Sequence, residues 1–174
     1  MIITSPKKKL LDGDISNCKQ GRESTVKLRL AQEGDLPFVK ELSQAFAPFG
    51  PYEEIIPQWF KDRFIETYIL EGEEGPRGFF MLGLLFPSWL CQTIDLMAIA
   101  VAPGWRRQGL GFLMVEKAKD LARQRGYYFL RAHVGCQNTP ALEMFRKAGF
   151  SIRKELPRYY PSGLSAYELR FSLR

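Results

Sequence analysis

The first stretch of the chain, residues 1–24, shows no sustained hydrophobic period; from residue 25 onward the text is patterned. Residues 25–30 alternate polar and apolar, as a half-buried strand does. Asp35 then precedes Pro37 as a helix cap, and Phe38, Val39, Leu42 and Phe46 follow at helical spacing until Pro48, Gly50 and Pro51 break the run. A second helix is expected over residues 53–66, carrying Ile55, Ile56, Trp59, Phe60 and Phe64. Residues 67–70 and the apolar run 78–86 read as a hairpin around a glycine-bearing turn at 72–76. Pro87 and Ser88 end that hairpin, and residues 93–101 form another apolar strand.

The period then becomes helical. Leu110, Leu113, Met114, Ala118, Leu121 and Ala122 share one face, with Glu116, Lys119, Asp120 and Arg123 on the other, and Gly126 closes the helix. Residues 127–134 read as a strand, and Thr139-Pro140 opens a short helix that stops at Ala148-Gly149. Residues 150–156 and 166–173 are the last strands, joined by a loop bearing Tyr159-Tyr-Pro-Ser-Gly163. The order is strand, two helices, three strands, helix, strand, helix, two strands, which predicts a mixed α/β sheet without internal repeats.

A length of 174 residues fits one domain, and 45% apolar with 25% charged residues is ordinary globular usage. Residues 1–24, with Lys7, Lys8 and Lys9 among Asp, Asn, Ser and Gly, read as a flexible or loosely docked tail, leaving 25–174 as the domain. The net charge is +6; the tail holds five basic and three acidic residues, so +2 belongs to it and +4 to the domain. That surplus alone fits phosphate-bearing cofactors, nucleic acid and anionic membranes equally. Cys18, Cys91 and Cys136 make no paired framework, and with one histidine in the chain a metal site is not expected. No apolar run approaches ~18 residues, and the charged opening is unlike a secretory signal. A cytoplasmic protein with no membrane partner is the expectation.

The chemistry concentrates in Ile99-Ala-Val-Ala-Pro-Gly-Trp-Arg-Arg-Gln-Gly-Leu-Gly111, where a strand runs through a short basic loop into a long helix. Free N–H groups and the helix dipole make such a start an anion site. Gly109 and Gly111 let the backbone approach a pyrophosphate, and Arg106 and Arg107 add charge. A Walker loop needs Gly-Lys-Ser/Thr, which does not occur, and the glycine spacing differs from a Rossmann fingerprint. A glycine turn with solvated basic residues is the plainer alternative.

Here the chain resembles the GNAT superfamily of acyl-CoA-dependent N-acyltransferases. Arg106-Arg-Gln-Gly109-Leu-Gly111 matches the family's pyrophosphate signature, Arg/Gln-x-x-Gly-x-Gly/Ala, and Val101-Ala-Pro103 resembles its usual strand end. Downstream, Asn138-x-x-Ala141-x-x-x-Phe145-x-x-x-Gly149-Phe150 matches a second pattern, in which the family often has Tyr where this chain has Phe145. The resemblance covers residues 25–174. It implies a mostly antiparallel mixed sheet flanked by about four helices, with the fourth and fifth strands splayed into a V. Acetyl-CoA, or another short acyl-CoA, would lie in that V as co-substrate. Its pantetheine would bond to the backbone around Ile99 and Val101, its pyrophosphate would sit over Arg107 to Gly111, and Ala100, Arg106, Gln108, Gly109, Leu110 and Phe112 would be on the cofactor side. Asn138 and Phe145 would complete the cofactor side.

The resemblance also implies direct attack of a neutral amine on the thioester, which needs a proton acceptor. His133 stands five residues before Asn138, where N-terminal protein acetyltransferases commonly place a base; Asp95 is a second candidate. The plain alternatives are a structural histidine and a carboxylate bonded to a neighbouring backbone or Arg. Phe145 cannot donate a proton to a departing thiolate, and Cys136 reads as a small packing residue rather than a nucleophile. On the acceptor side, Tyr52 and Glu53 on the loop between the first helices, and Tyr159 and Tyr160 on the last loop, would contact substrate. The Tyr-Tyr pair resembles a segment of ribosomal-protein and other N-terminal acetyltransferases.

The resulting expectation is an acetyl-CoA-dependent N-acetyltransferase, monomeric or homodimeric, with a protein or peptide amine slightly favoured as acceptor. A small-molecule amine (amino acid, polyamine or antibiotic) is the alternative within the class. A non-catalytic acyl-CoA-binding module is the alternative outside it. Nucleic-acid binding lacks any recognition motif.

Overall fold

The computed structural model describes residues 25–84 and 92–174. The expected tail, the end of the hairpin at Pro87 and Ser88, Cys18 and Cys91 lie outside them. The described strands are β1 (Lys27–Leu30), β2 (Glu66–Gly72), β3 (Gly75–Gly83), β4 (Thr93–Val101), β5 (Phe129–Gly135), β6 (Ser151–Leu156) and β7 (Ala166–Ser172). They form one sheet in the order β1-β2-β3-β4-β5-β7-β6. Every pairing is antiparallel except β4–β5, which is parallel. Four helices flank it: α1 (Leu36–Ser43), α2 (Tyr52–Lys61), α3 (Leu110–Gln124) and α4 (Thr139–Lys147). None is long and apolar enough to cross a membrane.

The unbroken apolar run in β3 is explained by cover on both faces. Phe79 and Met81 pack with Val39 and Leu42 of α1 and Ile56 of α2, while Phe80 and Leu82 pack with Met114, Val115 and Ala118 of α3. β4 crosses between these two cores. Ile94 and Leu96 belong to the α3 side, yet Ala98 and Ala100 belong to the α1 side, which a regular strand with period two does not allow. The reason is a bulge: Leu82 pairs Leu96 and Met81 pairs Ala98, so Met97 is the extra residue.

Several elements differ from the sequence expectation, each for a local reason. The second helix ends at Lys61, not Glu66, because Asp62 is extended and its Oδ1 accepts the Phe64 N–H at 2.8 Å. Phe64 is therefore exposed, and Glu66 opens β2. The first helix gives way after Ser43 to a tighter 3₁₀ segment, Gln44–Phe49, that contains Phe46 and Pro48. β3 starts three residues early, since Gly72 already pairs Gly75. Asp35 precedes α1 but makes no side-chain cap bond to it. Its carboxylate instead accepts two bonds from Arg29, at 2.7 and 2.9 Å, and one from the Gln32 N–H at 2.7 Å.

Lys119, expected on the polar face of its helix, is buried. Its Nζ donates to the Ala148 carbonyl at 3.0 Å, lies 2.6 Å from Glu116 and stands 4.3 Å over the Phe171 ring, so one ammonium ties α3 to the end of α4.

The Arg29 guanidinium holds both Asp35 and Glu71 below the usual carboxylate range. A depressed folded-state value means stability that is present above an unfolded pKa of about 4 and lost as pH falls through the lower folded value. Asp35→Asn should destabilise the protein by about 2 kcal/mol at neutral pH. In urea titrations that difference from wild type should shrink towards pH 3; a gap that stays constant with pH would contradict the ionic account.

Candidate active site

The β4–β5 ladder runs from Thr93↔Phe129 to Leu96↔Ala132 and stops there. Beyond it β4 continues against β3 as far as Val101, and β5 continues against β7 as far as Gly135. Each strand thus leaves one edge without a partner strand, and unpaired backbone groups at such an edge seek a ligand. Between the edges opens a cleft of about 830 Å³, its mouth included, lined in part by Asp95, Ile99, His133, Asn138 and Phe145. Tyr52, Tyr159 and Tyr160 stand on its other wall. Gly135 is needed here: a Cβ on it would meet the Phe49 ring at 2.5 Å, so the ring closes over the end of β5 only because no side chain intervenes.

After β4 the chain makes a 3₁₀ turn, Pro103–Trp105, and enters α3. That turn is anchored from β3. Arg77, 3% exposed, stacks its guanidinium 3.8 Å over the Trp105 ring, and its carbonyl accepts the Ala102 N–H at 2.8 Å. Arg107 and Gly109 both take left-handed backbone, with φ of 61° and 80°. The Leu113 N–H bonds the Gly109 carbonyl at 3.0 Å, so the amides of Leu110, Gly111 and Phe112 precede the helical ladder and face outward. A Cβ on Gly109 would meet nothing within 4 Å, so this end is open to an anion.

The loop residues divide their work. Arg106 donates through Nε to the Val101 carbonyl at 3.1 Å, and Gln108 donates to the Gly104 carbonyl at 3.3 Å, so both brace the loop. Gly111, expected to admit a pyrophosphate, instead faces α4, where a Cβ would sit 2.9 Å from the Met144 Sδ. In the second motif, Asn138 caps α4, its Oδ1 accepting the Ala141 N–H at 3.3 Å. Phe145 is 1% exposed and meets Phe150 edge-on at 5.0 Å.

The acceptor-side wall carries the titratable groups. Asp95 and Arg131 are register partners across β4–β5, joined by two bonds of 2.6 and 3.0 Å. Two residues along β5, on the same face, is His133. Burial, then the Arg131 charge, pushes its pKa below the ordinary value, so the ring is neutral at pH 7. Its Nε2 lies 3.8 Å from Glu168, a carboxylate that also has Lys154 at 3.7 Å and Arg170 at 3.5 Å. The Tyr159 ring stacks on the imidazole at 4.6 Å, and burial raises its phenol to about 12. The Tyr160 hydroxyl donates to the His133 carbonyl at 3.3 Å.

Of the residues singled out from the sequence, His133, Asp95, Ile99, Asn138, Phe145, Tyr52, Tyr159 and Tyr160 meet at one cleft. Arg106 to Phe112 form the separate helix-start cradle. Glu53, in the first turn of α2, is not among the cleft-lining residues, and Ala100 packs into the α1-side core. Arg131, Glu168, Phe46, Phe49 and Trp59 were not singled out as site residues. Arg131 shares a strand face with His133, a period-two signal that the sequence carries; Glu168 requires the β5–β7 register. Among the described residues, no group of three His, Cys, Asp or Glu could hold a metal ion.

Known proteins resemble this chain in sequence and in fold. Streptothricin acetyltransferase from Streptomyces lavendulae is 32% identical over 92 residues, 53% of this chain and 48% of that protein. The catalytic subunit of the N-terminal acetyltransferase B complex of Arabidopsis thaliana is 31% identical over 77 residues, 44% of each chain. The matched region thus spans about half the length of these relatives or less. The crystal structure of ribosomal-protein-alanine N-acetyltransferase from Brucella melitensis superposes with a TM-score of 0.73 at 20% identity, covering 83% of this chain and 98% of that one, a likeness of fold. Residues 36–150, more than half of the chain, match the acetyltransferase (GNAT) family, and the protein belongs to that family.

Proposed function

We propose that the protein is an N-acetyltransferase that moves an acetyl group from acetyl-CoA to a primary amine, with a protein or peptide N-terminus as the favoured acceptor. The observation that carries this reading is a neutral, half-buried histidine on the wall of a cleft that begins where β4 and β5 part. The relatives named above act on both sides of the acceptor question, one on streptothricin and one on protein N-termini by their names. The paired Tyr159 and Tyr160 at an open cleft favour the peptide, since two adjacent rings can flank a backbone.

In this reading acetyl-CoA supplies an activated acyl group. The free edge of β4 around Ile99 and Val101 holds its amide-bearing arm as an added strand would be held. The amides of Leu110, Gly111 and Phe112, with Arg107 beside them, hold its pyrophosphate. His133 accepts the proton that the amine loses as its nitrogen bonds to the acyl carbon and the carbon–sulfur bond breaks. Asp95 acts at one remove: it holds Arg131 in place beside His133, while its own negative charge works against the lowering that burial and then the Arg131 charge impose on the imidazole. Phe145 shapes the cleft and gives no proton, and the thiolate leaves to solvent.

Turnover of a peptide panel, read by thiol release, tests the assignment. His133→Ala should lower kcat by about 10²-fold or more while acetyl-CoA affinity holds. Unchanged turnover would remove His133 from the mechanism. Because the folded pKa of His133 is depressed, wild-type kcat/KM should rise with pH through a midpoint below about 6.5, and that limb should be absent from the variant. Arg107→Ala should raise KM for acetyl-CoA by about two- to fivefold with little change in kcat.

A further inference from the structure

From His133 a continuous chain of aromatic rings leads outward along the acceptor wall. Tyr159 stacks on the imidazole at 4.6 Å, Tyr160 meets Tyr159 edge-on at 5.1 Å, Tyr52 meets Tyr160 at 6.1 Å, and Trp59 meets Tyr52 at 6.0 Å. Phe46 adds to the far end, 6.4 Å from Tyr52. Tyr52, Trp59 and Phe46 pack against the α1-side core yet are only partly buried, and all three line the cleft. These rings come from three separate parts of the chain: the 3₁₀ segment after α1, helix α2 and the β6–β7 loop.

The carboxylates that face or back the cleft are paired; Glu53, beside Tyr52 on α2, has a buried Oε2 without a hydrogen-bond partner among the described residues but is not among the cleft-lining residues. Asp95 is the only carboxylate among the described residues lining the cleft, and Arg131 takes both of its oxygens. Glu168, just behind His133, is met by Lys154 and Arg170. A polycationic acceptor needs carboxylates to replace the water lost from its additional ammonium groups, and a second charge placed against these rings would have their π faces but no lining carboxylate left to pair with. An uncharged apolar group, by contrast, gains by covering the rings.

We infer that the acceptor is a primary amine whose own carbon bears an uncharged apolar group, seated on the Phe46, Tyr52 and Trp59 rings while the amine reaches His133. In a peptide this is a large apolar first residue; in a small molecule it is an arylalkylamine. The inference rests on the transferase reading above and names the substrate class of that site.

The experiment compares kcat/KM for peptides identical after the first position, beginning with Leu, Phe, Ser, Glu or Lys, alongside 2-phenylethylamine and spermidine. Leu- and Phe-first peptides should exceed Lys- and Glu-first ones by at least about tenfold. A preference for Lys-first peptides or spermidine would overturn the inference. Faster turnover of 2-phenylethylamine than of the Phe-first peptide would keep the apolar class and make the acceptor a small molecule. Trp59→Ala should lower kcat/KM for Leu-first peptides more than for Ser-first ones while KM for acetyl-CoA stays as in wild type, and Trp59→Phe should restore most of the Leu-over-Ser preference. An equal loss for every acceptor in Trp59→Ala would overturn the seating. If no acceptor raises thiol release above the acetyl-CoA hydrolysis background although acetyl-CoA binds, the transferase reading fails, and this inference with it.

Discussion

The extra residue at Met97 is the constraint on which the site depends. A parallel pair could otherwise have continued along β4 and β5, because both strands run on past Leu96 and Ala132 and both are held by other neighbours. The bulge reverses which side chains face which core and twists β4 away at the point where the ladder stops. Three consequences follow from that departure. An open edge is left on each strand, a cleft forms between them, and β4 is aimed so that its end delivers the chain to the N-terminus of α3. Packing holds the irregularity in place. Gly83 lies against Met97, where a Cβ would come 2.6 Å from its Sδ, so the bulged side chain has a seat only because glycine faces it.

The two faces of the sheet then divide the chemistry. On the α3 and α4 side, the groups near the cleft are backbone amides, a capping asparagine and a buried phenylalanine, which suit an anionic, amide-bearing substrate and add no proton chemistry. On the α1 and α2 side lie the ion pair, the histidine and the rings. Arg131 links structure to chemistry there. It neutralises Asp95 in the register pair and, two residues from His133, disfavours a second positive charge on the imidazole. Elsewhere single cations do structural work of a similar kind, Arg29 between two carboxylates beside β1 and Lys119 between α3 and α4.

Element types were legible along nearly the whole patterned region, because amphipathic periods of two and 3.6 are properties of local text. Boundaries failed where a side chain or a turn overrode the period. Asp62 ended α2 by bonding the backbone two residues on, and residues that read as helix became loop and strand. Lys119 was read as solvated because charge on a helix usually is; only the Ala148 carbonyl, 29 residues away, explains its burial. Tyr52 was expected on the substrate side, but Phe46 and Trp59 looked like core, and a period cannot say that they stop at the wall of a cleft.

By itself, the sequence determined the order of the elements, the glycine-and-arginine helix start with its anion chemistry, the second motif and the one histidine able to act as a base near neutral pH. These are local: each depends on residues within a turn or two of one another, so spacing suffices. Which of these residues share a site was decided by tertiary structure. The Met97 bulge depends on pairing with β3, the neutral state of His133 depends on burial and on Arg131, and the aromatic wall gathers three distant segments. Burial and register are sums over the whole packed sheet, and no stretch of chain carries them alone.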